Sequence, residues 1–459
     1  MNFMSERDTI AAISTPPGSG GVGMVRITGP DAMAVGRKIF TPLGQDSTQN
    51  LHPRKAVVGN VHHPDLPDEP IDQAVCLFFK NPRSFTGEDT IELTAHGSPF
   101  IMRSILEAAT LAGARLAEPG EFTRRAFNNG RIDLSQAEAI ASLIFASTEE
   151  ASRVMQRQVA GTMGREAKGL RESLLGIKVE LESVIDFSED VGDIQPDKMA
   201  QVIKGVKNNV ENLLDTAREG VAMTQGLRVV IAGAPNVGKS SLLNALLQED
   251  RAIVHEVAGT TRDFIEGRIS VNGIPMVVVD TAGIRGEADP LESEGIARTK
   301  NLVKVADLLL VVMDGTRSMN QDERQLLLET THIPRVVAVN KNDLSLHPAF
   351  EAPEGAVTVS ALTSQGIDTL KELIRETCIG GGDALNDGGG VVTSIRQADA
   401  LKKVRDGCDC FIQGLMEFRE PELLAVDLEE ALLGVGELTG EVTVDEVLDE
   451  IFSRFCIGK

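Results

Sequence analysis

The stretch that decides the fold is GAPNVGKSS, residues Gly233 to Ser241, which directly follows the apolar run LRVVIA and leads into the helix-like SLLNALLQ. A glycine-rich loop between a strand and a helix lets successive backbone N–H groups and the helix N-terminus bind phosphate. In such a loop Lys239 reaches the β- and γ-phosphates, and the Ser240 hydroxyl can ligate magnesium. The stretch therefore predicts a nucleotide-binding α/β domain.

Two motifs downstream supply further groups for a nucleoside triphosphate. In GTTRD, the Thr261 hydroxyl can complete the magnesium shell when a γ-phosphate is present. In DTAG, which ends a strand-like run, Asp280 can act on the metal side and Gly283 can bring its N–H to the γ-phosphate. Both motifs are candidate switches.

The base is predicted from two later motifs, NKND and SAL, each of which follows a buried strand. A carboxylate at Asp343 can accept hydrogen bonds from N1–H and the exocyclic amine of guanine, which adenine does not offer. The SAL motif would place backbone amides near the guanine oxygen, so the nucleotide is GTP. The predicted GTP contacts are Asn236, Val237, Gly238, Lys239, Ser240, Ser241, His255, Glu256, Val257, Ala258, Gly259, Thr260, Thr261, Asp280, Thr281, Ala282, Gly283, Asn340, Lys341, Asp343, Ser360 and Ala361.

The residues alone do not identify the group that positions the attacking water. Ras-type enzymes carry glutamine directly after the DTAG glycine, and this chain has Ile284. The side-chain oxygen of Asn236, inside the phosphate loop, suits a monovalent cation that would supply positive charge. Four acids downstream are candidate water carriers: Glu287, Asp289, Glu292 and Glu294.

The composition indicates a folded, soluble protein of several domains, with 459 residues of which 42% are hydrophobic. A formal charge of -23 repels nucleic acid at long range, so an RNA partner must meet a local basic patch or be delivered by another subunit. The five cysteines are odd in number and lack CxxC spacing, which argues against a disulfide framework and a zinc ribbon. We find neither a long apolar run nor a leader-like start, and expect a cytoplasmic protein without a membrane span.

The pattern of apolar residues divides the chain into four stretches. Residues 1–121 read as a small α+β domain with one helix after Ser98, 122–225 as the first part of a helical domain, 226–380 as an inserted α/β domain, and 381–459 as the second helical part. Capping boxes are predicted at Ser135 with Glu138 and at Thr443 with Glu446.

Several features of residues 1–131 can be explained by ordinary local structure without a functional role. PPGSGGVG has the spacing of a dinucleotide fingerprint, but a strand pattern follows it where a helix is needed, so a hairpin or loop with close backbone contact is expected. HHPDLPD is predicted to be a solvated loop because of its prolines. Arg26, Glu92 and Arg131 are expected, on physical grounds alone, to be surface or salt-bridge residues.

The chain stops at FCIGK, which places Cys456 four residues from the end. This is the position that prenyl transferases recognise, but Gly458 stands where an aliphatic residue is needed and lysine is an unusual last residue. Prenylation is therefore not expected. A solvated tail without a function is the alternative on the residues alone.

Blocks along the whole chain resemble the tRNA-modification GTPases of the MnmE, or TrmE, family. They include TPPGSGGVGMVRI, SFTGEDTIEL, PGEFTRRAF, DLSQAEAI, GAPNVGKSSLLNAL, VAGTTRD, DTAGIR, LTGEVTVDEVLDEIF and FCIGK. The resemblance implies an N-terminal folate-binding domain that dimerises and a helical domain with an inserted GTPase. It also implies a flavin- and NADH-using MnmG (GidA) partner, and addition of an aminomethyl or carboxymethylaminomethyl group to the wobble uridine of certain tRNAs. The implied carbon source is 5-formyltetrahydrofolate or a related tetrahydrofolate.

The resemblance also assigns residues. It implies potassium activation when two GTPase domains meet, with the ion held by Asn236, His255, Val257 and Thr260, and magnesium held by Ser240 and Thr261. It makes Glu292 the water-orienting residue and pairs it with Lys239 in catalysis. The implied folate contacts are Arg26, Glu92, Arg131 and Lys459.

The chain departs from the family pattern at two positions, since Arg131 stands where some relatives have lysine and His255 replaces a threonine. The helix before FCIGK is expected to deliver the tail to a defined place on the helical domain, facing the folate pocket. Three roles stay open for Cys456: a nucleophile, a spectator or a packing residue. The first has a physical basis, because a neighbouring cation can lower the pKa of a thiol. The competing hypothesis is a ribosome-assembly GTPase that acts as an RNA-binding switch, since such proteins share the nucleotide motifs.

Overall fold

The computed structural model describes residues 8–43, 51–186, 195–249, 266–271, 273–280, 306–379, 389–453 and 455–459. The chain divides into two compact units, one of residues 1–141 with 439–459 and one of residues 142–438. The second unit contains both helices and the α/β part, so the predicted boundaries at 121, 225 and 380 stay predictions. Within the described residues, no helix is long and apolar enough to cross a membrane.

The first unit is built on a seven-stranded sheet in the order β3-β4-β5-β6-β2-β1-β7, in which every neighbouring pair is antiparallel except β1 with β7. Val25 and Ile27 of β2 are fully buried against the helices on one face. Because side chains alternate along a strand, Arg26 and Thr28 face the other side. The elements are β1 (Ile10–Ile13), β2 (Gly20–Thr28), α1 (Ala32–Ile39), β3 (Phe40–Pro42), β4 (Val57–His63), β5 (Leu66–Phe79), β6 (Thr90–Gly97), α2 (Pro99–Leu111) and β7 (Arg115–Leu116).

The glycine-rich segment near the N-terminus lies in β2, with an irregularity between Gly20 and Gly23. A Cβ added to Gly97 on the neighbouring strand would lie 2.6 Å from the Val22 carbonyl oxygen. The strand pattern after these glycines is confirmed, and residues 14–19 join β1 to β2 as the expected hairpin. Close approach to a ligand or another subunit stays a prediction. The predicted helix after Ser98 is also confirmed, as α2.

The prediction of a loop at HHPDLPD is wrong, although residues 65–68 are exposed to solvent as expected. His62 and His63 end β4 and pair with Pro70 and Leu66 of β5, which leaves only residues 64 and 65 as a turn. Of the two prolines in this stretch, Pro64 falls in the turn and Pro67 lies between the paired residues Leu66 and Pro70, where the register shifts.

Three further helices complete the first unit: α3 (Glu121–Asn128), α4 (Leu134–Phe145), of which residues up to 141 belong here, and α14 (Asp445–Ser453). Leu134, Phe452 and Phe455 belong to one apolar cluster that joins these helices.

Both predicted capping boxes are wrong in position. At α4 the box is formed two residues earlier, where the Asp133 carboxylate accepts from the Gln136 N–H at 2.8 Å and the Asp133 N–H donates to the Gln136 side chain at 3.0 Å. At α14 the Thr443 hydroxyl is buried and has no hydrogen-bond partner among the described residues. Aspartate and serine are comparable caps, so the sequence pattern alone does not distinguish Asp133 from Ser135.

The second unit contains a six-stranded sheet in the order β13-β12-β11-β8-β10-β9, parallel except for β9 with β10. Every residue of β11 is buried, which explains its unbroken apolar run, because a parallel strand is covered on both faces. The elements are β8 (Leu227–Ala232), α9 (Lys239–Glu249), β9 (Glu266–Val271), β10 (Ile274–Asp280), β11 (Leu308–Asp314), α10 (Gln321–Glu329), β12 (Arg335–Asn340), β13 (Val357–Thr358) and α11 (Ile367–Ile379).

The remaining helices of this unit precede and follow the sheet in sequence. The four longest of them, within residues 162–186, 196–215, 395–416 and 421–439, share one apolar cluster in which Leu174, Ile203 and Phe411 are fully buried, so the two halves of the helical part pack together. The remaining helices are α5 (Glu149–Val159), α6 (Thr162–Asp186), α7 (Pro196–Asp215), α8 (Ala217–Gln225), α12 (Ile395–Met416) and α13 (Pro421–Thr439).

Candidate functional site

The phosphate loop runs from the end of β8 to the start of α9 and depends on backbone geometry that most residues avoid. Gly233 has φ +151°, and an added Cβ would lie 2.2 Å from the Val312 carbonyl oxygen. Gly238 has φ +99°, and its Cβ would lie 2.2 Å from the Asn340 side-chain nitrogen. Asn236 has φ +62°, a left-handed conformation that asparagine tolerates better than most residues. The loop therefore needs glycine for conformation and for space.

Lys239 is held inside this loop. Its ammonium donates to the carbonyl oxygens of Gly233 at 3.0 Å and Ala234 at 2.9 Å, and the residue is 9% exposed. Since α9 begins at Lys239, the N-terminus of this helix and the ammonium lie at the same end of the loop, and the helix dipole adds positive potential there. This arrangement fits a phosphate chain, and the adjoining Ser240 hydroxyl is the described group suited to magnesium.

Asn340 connects the phosphate loop to the base end of the site. Its amide nitrogen donates to the Val237 carbonyl at 2.9 Å, and its amide oxygen accepts from the Ala361 N–H at 3.0 Å. The side chain is almost completely buried. Asn340 therefore fixes the spacing between the loop and the SAL segment, so its role is structural as well as a predicted contact.

Asp343 is oriented by the SAL segment. One carboxylate oxygen accepts from the Ser360 hydroxyl at 2.6 Å, and that hydroxyl oxygen accepts from the Thr363 N–H at 3.2 Å. Ser360 is fully buried. A carboxylate held at one oxygen is a pre-organised acceptor, which is the geometry that guanine recognition requires.

Asp314, at the end of β11, is a member of the site that the sequence argument missed. Lys341, with φ +70°, donates to it from its ammonium at 2.6 Å. Burial alone would raise the pKa of Asp314, but hydrogen bonds from Lys341 and Thr316 outweigh it and hold that pKa below its ordinary value. The available signal was an acid at the carboxyl end of a buried parallel strand, where α/β sheets bind ligands.

Many predicted nucleotide contacts lie outside the described residues. Asp280 ends β10, which pairs with β8, but only its backbone is described. The others outside the described residues are His255, Glu256, Val257, Ala258, Gly259, Thr260, Thr261, Thr281, Ala282, Gly283, Ile284, Glu287, Asp289, Glu292 and Glu294.

A second group of predicted residues meets on the first unit, where Arg26 of β2 lies directly opposite Glu92 of β6. The guanidinium Nε and Nη2 of Arg26 each lie 2.9 Å from the same Glu92 oxygen, and both side chains are mostly buried. The guanidinium also lies 5.6 Å from the centre of the Phe122 ring, a cation–π contact. The salt-bridge expectation is confirmed for these two residues.

The last five residues are docked beside this pair. Ile457 forms a β-bridge with Pro119, and Phe455 is buried. The Gly458 carbonyl accepts hydrogen bonds from the Ser14 hydroxyl at 3.0 Å and from Arg26 Nη1 at 3.4 Å. We call residues 455–459, held by these contacts, the tail latch.

Gly458 is needed by this docking. It has φ +97°, and an added Cβ would lie 2.3 Å from the Ile13 carbonyl oxygen. The tail therefore lies against β1 and β2, and the expected place on the helical domain is wrong because strand backbone supplies the partner. Cys456 is exposed and Lys459 is half-buried.

Arg131 lies in a different local setting. Its side chain contacts Gly87, where an added Cβ would lie 3.2 Å from Arg131 Cγ. Asn129 fixes the same segment, because its amide donates to the Thr86 carbonyl at 2.8 Å. Arg26, Glu92 and the tail meet directly, whereas Arg131 is placed by the loop between β5 and β6.

Comparison with known proteins gives two family matches. A model described as GTP-binding protein TrmE N-terminus matches residues 9–131, and a model described as MnmE helical domain matches residues 134–456. The chain is 40% identical to the tRNA modification GTPase MnmE of Roseiflexus castenholzii over 98% of this chain and 99% of that protein. It is 40% identical to that of Aquifex aeolicus over 99% and 100% of the two chains, and 42% identical to that of Geobacter sulfurreducens over 99% and 100%.

Proposed function

The chain belongs to the MnmE family of tRNA modification GTPases, and from that premise we propose that it is a potassium-activated GTP hydrolase that modifies the wobble uridine of certain tRNAs. The group added is aminomethyl or carboxymethylaminomethyl, and a tetrahydrofolate supplies the one-carbon unit. The observation that carries this proposal is the junction of Arg26, Glu92 and the tail latch, because a GTPase that is only an RNA-binding switch has no use for it.

GTP binding is assigned to the phosphate loop and the Asn340–Asp343–Ser360 framework. Lys239 and the N-terminus of α9 would hold the phosphates, and Asp343 would select guanine. Ser240 and Thr261 would hold magnesium, which would neutralise charge that develops on the phosphates. Since the framework residues are already hydrogen-bonded to one another, little ordering is needed when the base binds.

Hydrolysis is assigned to a cation site that includes Asn236 and to a water-orienting acid. Asn236 would hold potassium together with backbone of His255, Val257 and Thr260, and the ion would supply positive charge in place of an arginine finger. The left-handed backbone at Asn236 directs its side chain away from the usual strand or helix course, which supports a ligand role. Glu292 is the proposed water-orienting residue, and two GTPase domains of a homodimer are proposed to meet during turnover.

The one-carbon ligand is assigned to the first unit. Arg26 and Arg131 would pair with its carboxylates, Glu92 with its amine donors, and Lys459 would contact it from the tail. The proposed partners are a second copy of the chain and an MnmG-type flavoprotein, with tRNA as the substrate and the cytoplasm as the location.

The deciding experiment is measurement of wobble-uridine modification by mass spectrometry in cells that lack this chain, before and after it is restored. We expect the modified nucleoside to disappear and to return with the wild-type chain. Unchanged modification in the deletion strain would reject the proposal in favour of an assembly GTPase.

The cation role has its own test. GTP turnover should be much faster in potassium than in sodium, and Asn236→Ala should remove this difference while GTP still binds. Equal turnover of the wild type in both salts would contradict the cation role without affecting the tRNA assignment.

A further inference from the structure

Because the chain has a formal charge of -23, a surface that attracts a polyanion must be local. Two neighbouring turns of the first unit, residues 52–55 and 80–85, form such a surface, which we call the basic turn pair. Its four cations are all exposed: Arg54, Lys55, Lys80 and Arg83.

Backbone hydrogen bonds hold the two turns in place. The Lys55 N–H donates to the His52 carbonyl at 3.2 Å, and the Arg83 N–H donates to the Lys80 carbonyl at 2.9 Å. Arg54 links the turns, because its guanidinium donates to the Arg83 carbonyl at 3.2 Å. Arg54 also has φ +61°, an uncommon conformation outside glycine, so the approach of the turns is built into the backbone.

Among the described residues, the positive charge of the basic turn pair is not neutralised by nearby carboxylates. None of the four cations has a carboxylate within ion-pair distance in the part of the chain that the structure describes. The acids of the adjoining loop are engaged elsewhere, since Glu88 pairs with Arg125 at 3.2 Å and Asp89 accepts from the Asn81 N–H at 2.8 Å. By contrast, several cations of the second unit are paired with carboxylates, both the exposed Arg153 and Lys403 and the half-buried Lys178 and Lys207.

An aromatic ring accompanies these charges. Phe85, on the second turn, is 40% exposed, and the chain has neither tryptophan nor tyrosine. Cations with an exposed ring are the combination that binds a nucleic-acid backbone and stacks an unpaired base.

We propose that the basic turn pair binds the phosphate backbone of tRNA, with Phe85 as a stacking surface for an unpaired base. This inference rests on the proposed function, which makes tRNA the substrate. Four cations spread over two turns match a run of phosphates, whereas a single small anion would be met by converging groups. The patch explains how an acidic chain can contact RNA directly.

The test compares two double variants of the full chain that lose the same charge. Lys80→Gln with Arg83→Gln removes two cations of the basic turn pair, and Arg37→Gln with Arg103→Gln removes two exposed cations from α1 and α2. Affinity for unmodified tRNA is measured over a salt series. At 0.15 M salt we expect the first variant to bind about tenfold more weakly, with a salt slope reduced by about 1.5. The control should stay within about twofold of the wild type.

Equal losses in both variants would reduce the effect to net charge and overturn the proposal. So would absence of tRNA binding by the wild-type chain, or a loss confined to folate affinity.

Phe85→Leu should weaken single-stranded RNA binding about tenfold without changing the salt slope. The control is Phe100→Leu, because Phe100 is 76% exposed in the wild type. GTP turnover serves as the folding check. Failure of the proposed function itself is recognised separately, by unchanged wobble modification in the deletion strain.

Discussion

The phosphate loop and the tail latch both hold backbone in an unusual conformation. They differ in how their residues are distributed along the sequence. The loop is contiguous, and its glycines, its lysine and the helix that follows lie within residues 233–249. The latch joins Ser14 to Gly458, which are 444 positions apart. A contiguous motif reveals its chemistry to a reader of the sequence. An assembled site reveals only single residues whose meaning depends on the fold.

The largest expected effect breaks the contiguous site at its base end. Asp343→Asn replaces an acceptor by an amide that cannot accept both guanine donors, so GTP affinity should fall by about 1000-fold, as expected for two charge-assisted hydrogen bonds. Affinity for xanthosine triphosphate, whose base presents an oxygen at that position, should rise. Titration calorimetry with both nucleotides measures this. Retention of GTP affinity would show that Asp343 does not contact the base.

A second change tests how firmly the assembled region is held. Glu121 of α3 receives hydrogen bonds from Arg115 and Arg125, each at 2.8 Å. Burial opposes its ionisation, but hydrogen bonds led by that from Arg115 hold the pKa below its ordinary value. Glu121→Gln removes the charge that the two guanidinium groups share, and should lower the free energy of unfolding by about 3 kcal/mol at neutral pH.

The pH dependence of this effect has a definite sign. A depressed pKa means that the carboxylate stabilises the folded state above its unfolded pKa near 4.5 and that this stability is lost as pH falls through the folded value. The variant should therefore show a flatter loss of stability below about pH 4.5 than the wild type. Urea unfolding at several pH values measures it, with the exposed Glu107→Gln as the control. Parallel curves for wild type and variant would exclude Glu121 as the cause.

The sequence predicted the sheet-and-helix order of the GTPase part and the chemistry of its loop because each signal is local. β11 is an unbroken apolar run, and a glycine-rich turn needs no distant partner to be recognised. Asp314 was missed because its role depends on Lys341, which lies on the neighbouring strand's loop. The capping box at α4 was placed two residues late, since Asp133 and Ser135 are both good caps and only packing decides between them. The place of the tail was predicted wrongly because the sequence of a strand does not show that its backbone will bind the last residues of the chain.

A third change breaks the tail latch at its tightest point. Gly458→Ala would put a Cβ 2.3 Å from the Ile13 carbonyl, so the tail must leave its place. We expect a loss of about 2 kcal/mol and at least tenfold slower tRNA modification, with GTP turnover unchanged. Gly130→Ala is the matched control, because Gly130 has φ +64° but no atom within 4 Å of an added Cβ. Equal effects of the two variants would assign the loss to backbone strain alone.

The smallest expected effect sharpens the comparison by removing a single contact of the latch. Ser14→Ala deletes the hydroxyl that donates to the Gly458 carbonyl at 3.0 Å, while Arg26 still donates to that oxygen at 3.4 Å. Because one acceptor keeps one donor, the cost should be only about 1 kcal/mol. The tail should then detach more often, so hydrogen exchange of the backbone amides of residues 455–458 should be about fivefold faster than in the wild type. An exchange rate equal to that of the wild type would mean that Phe455 and the Pro119–Ile457 bridge hold the tail without Ser14, and that the latch is secured by packing.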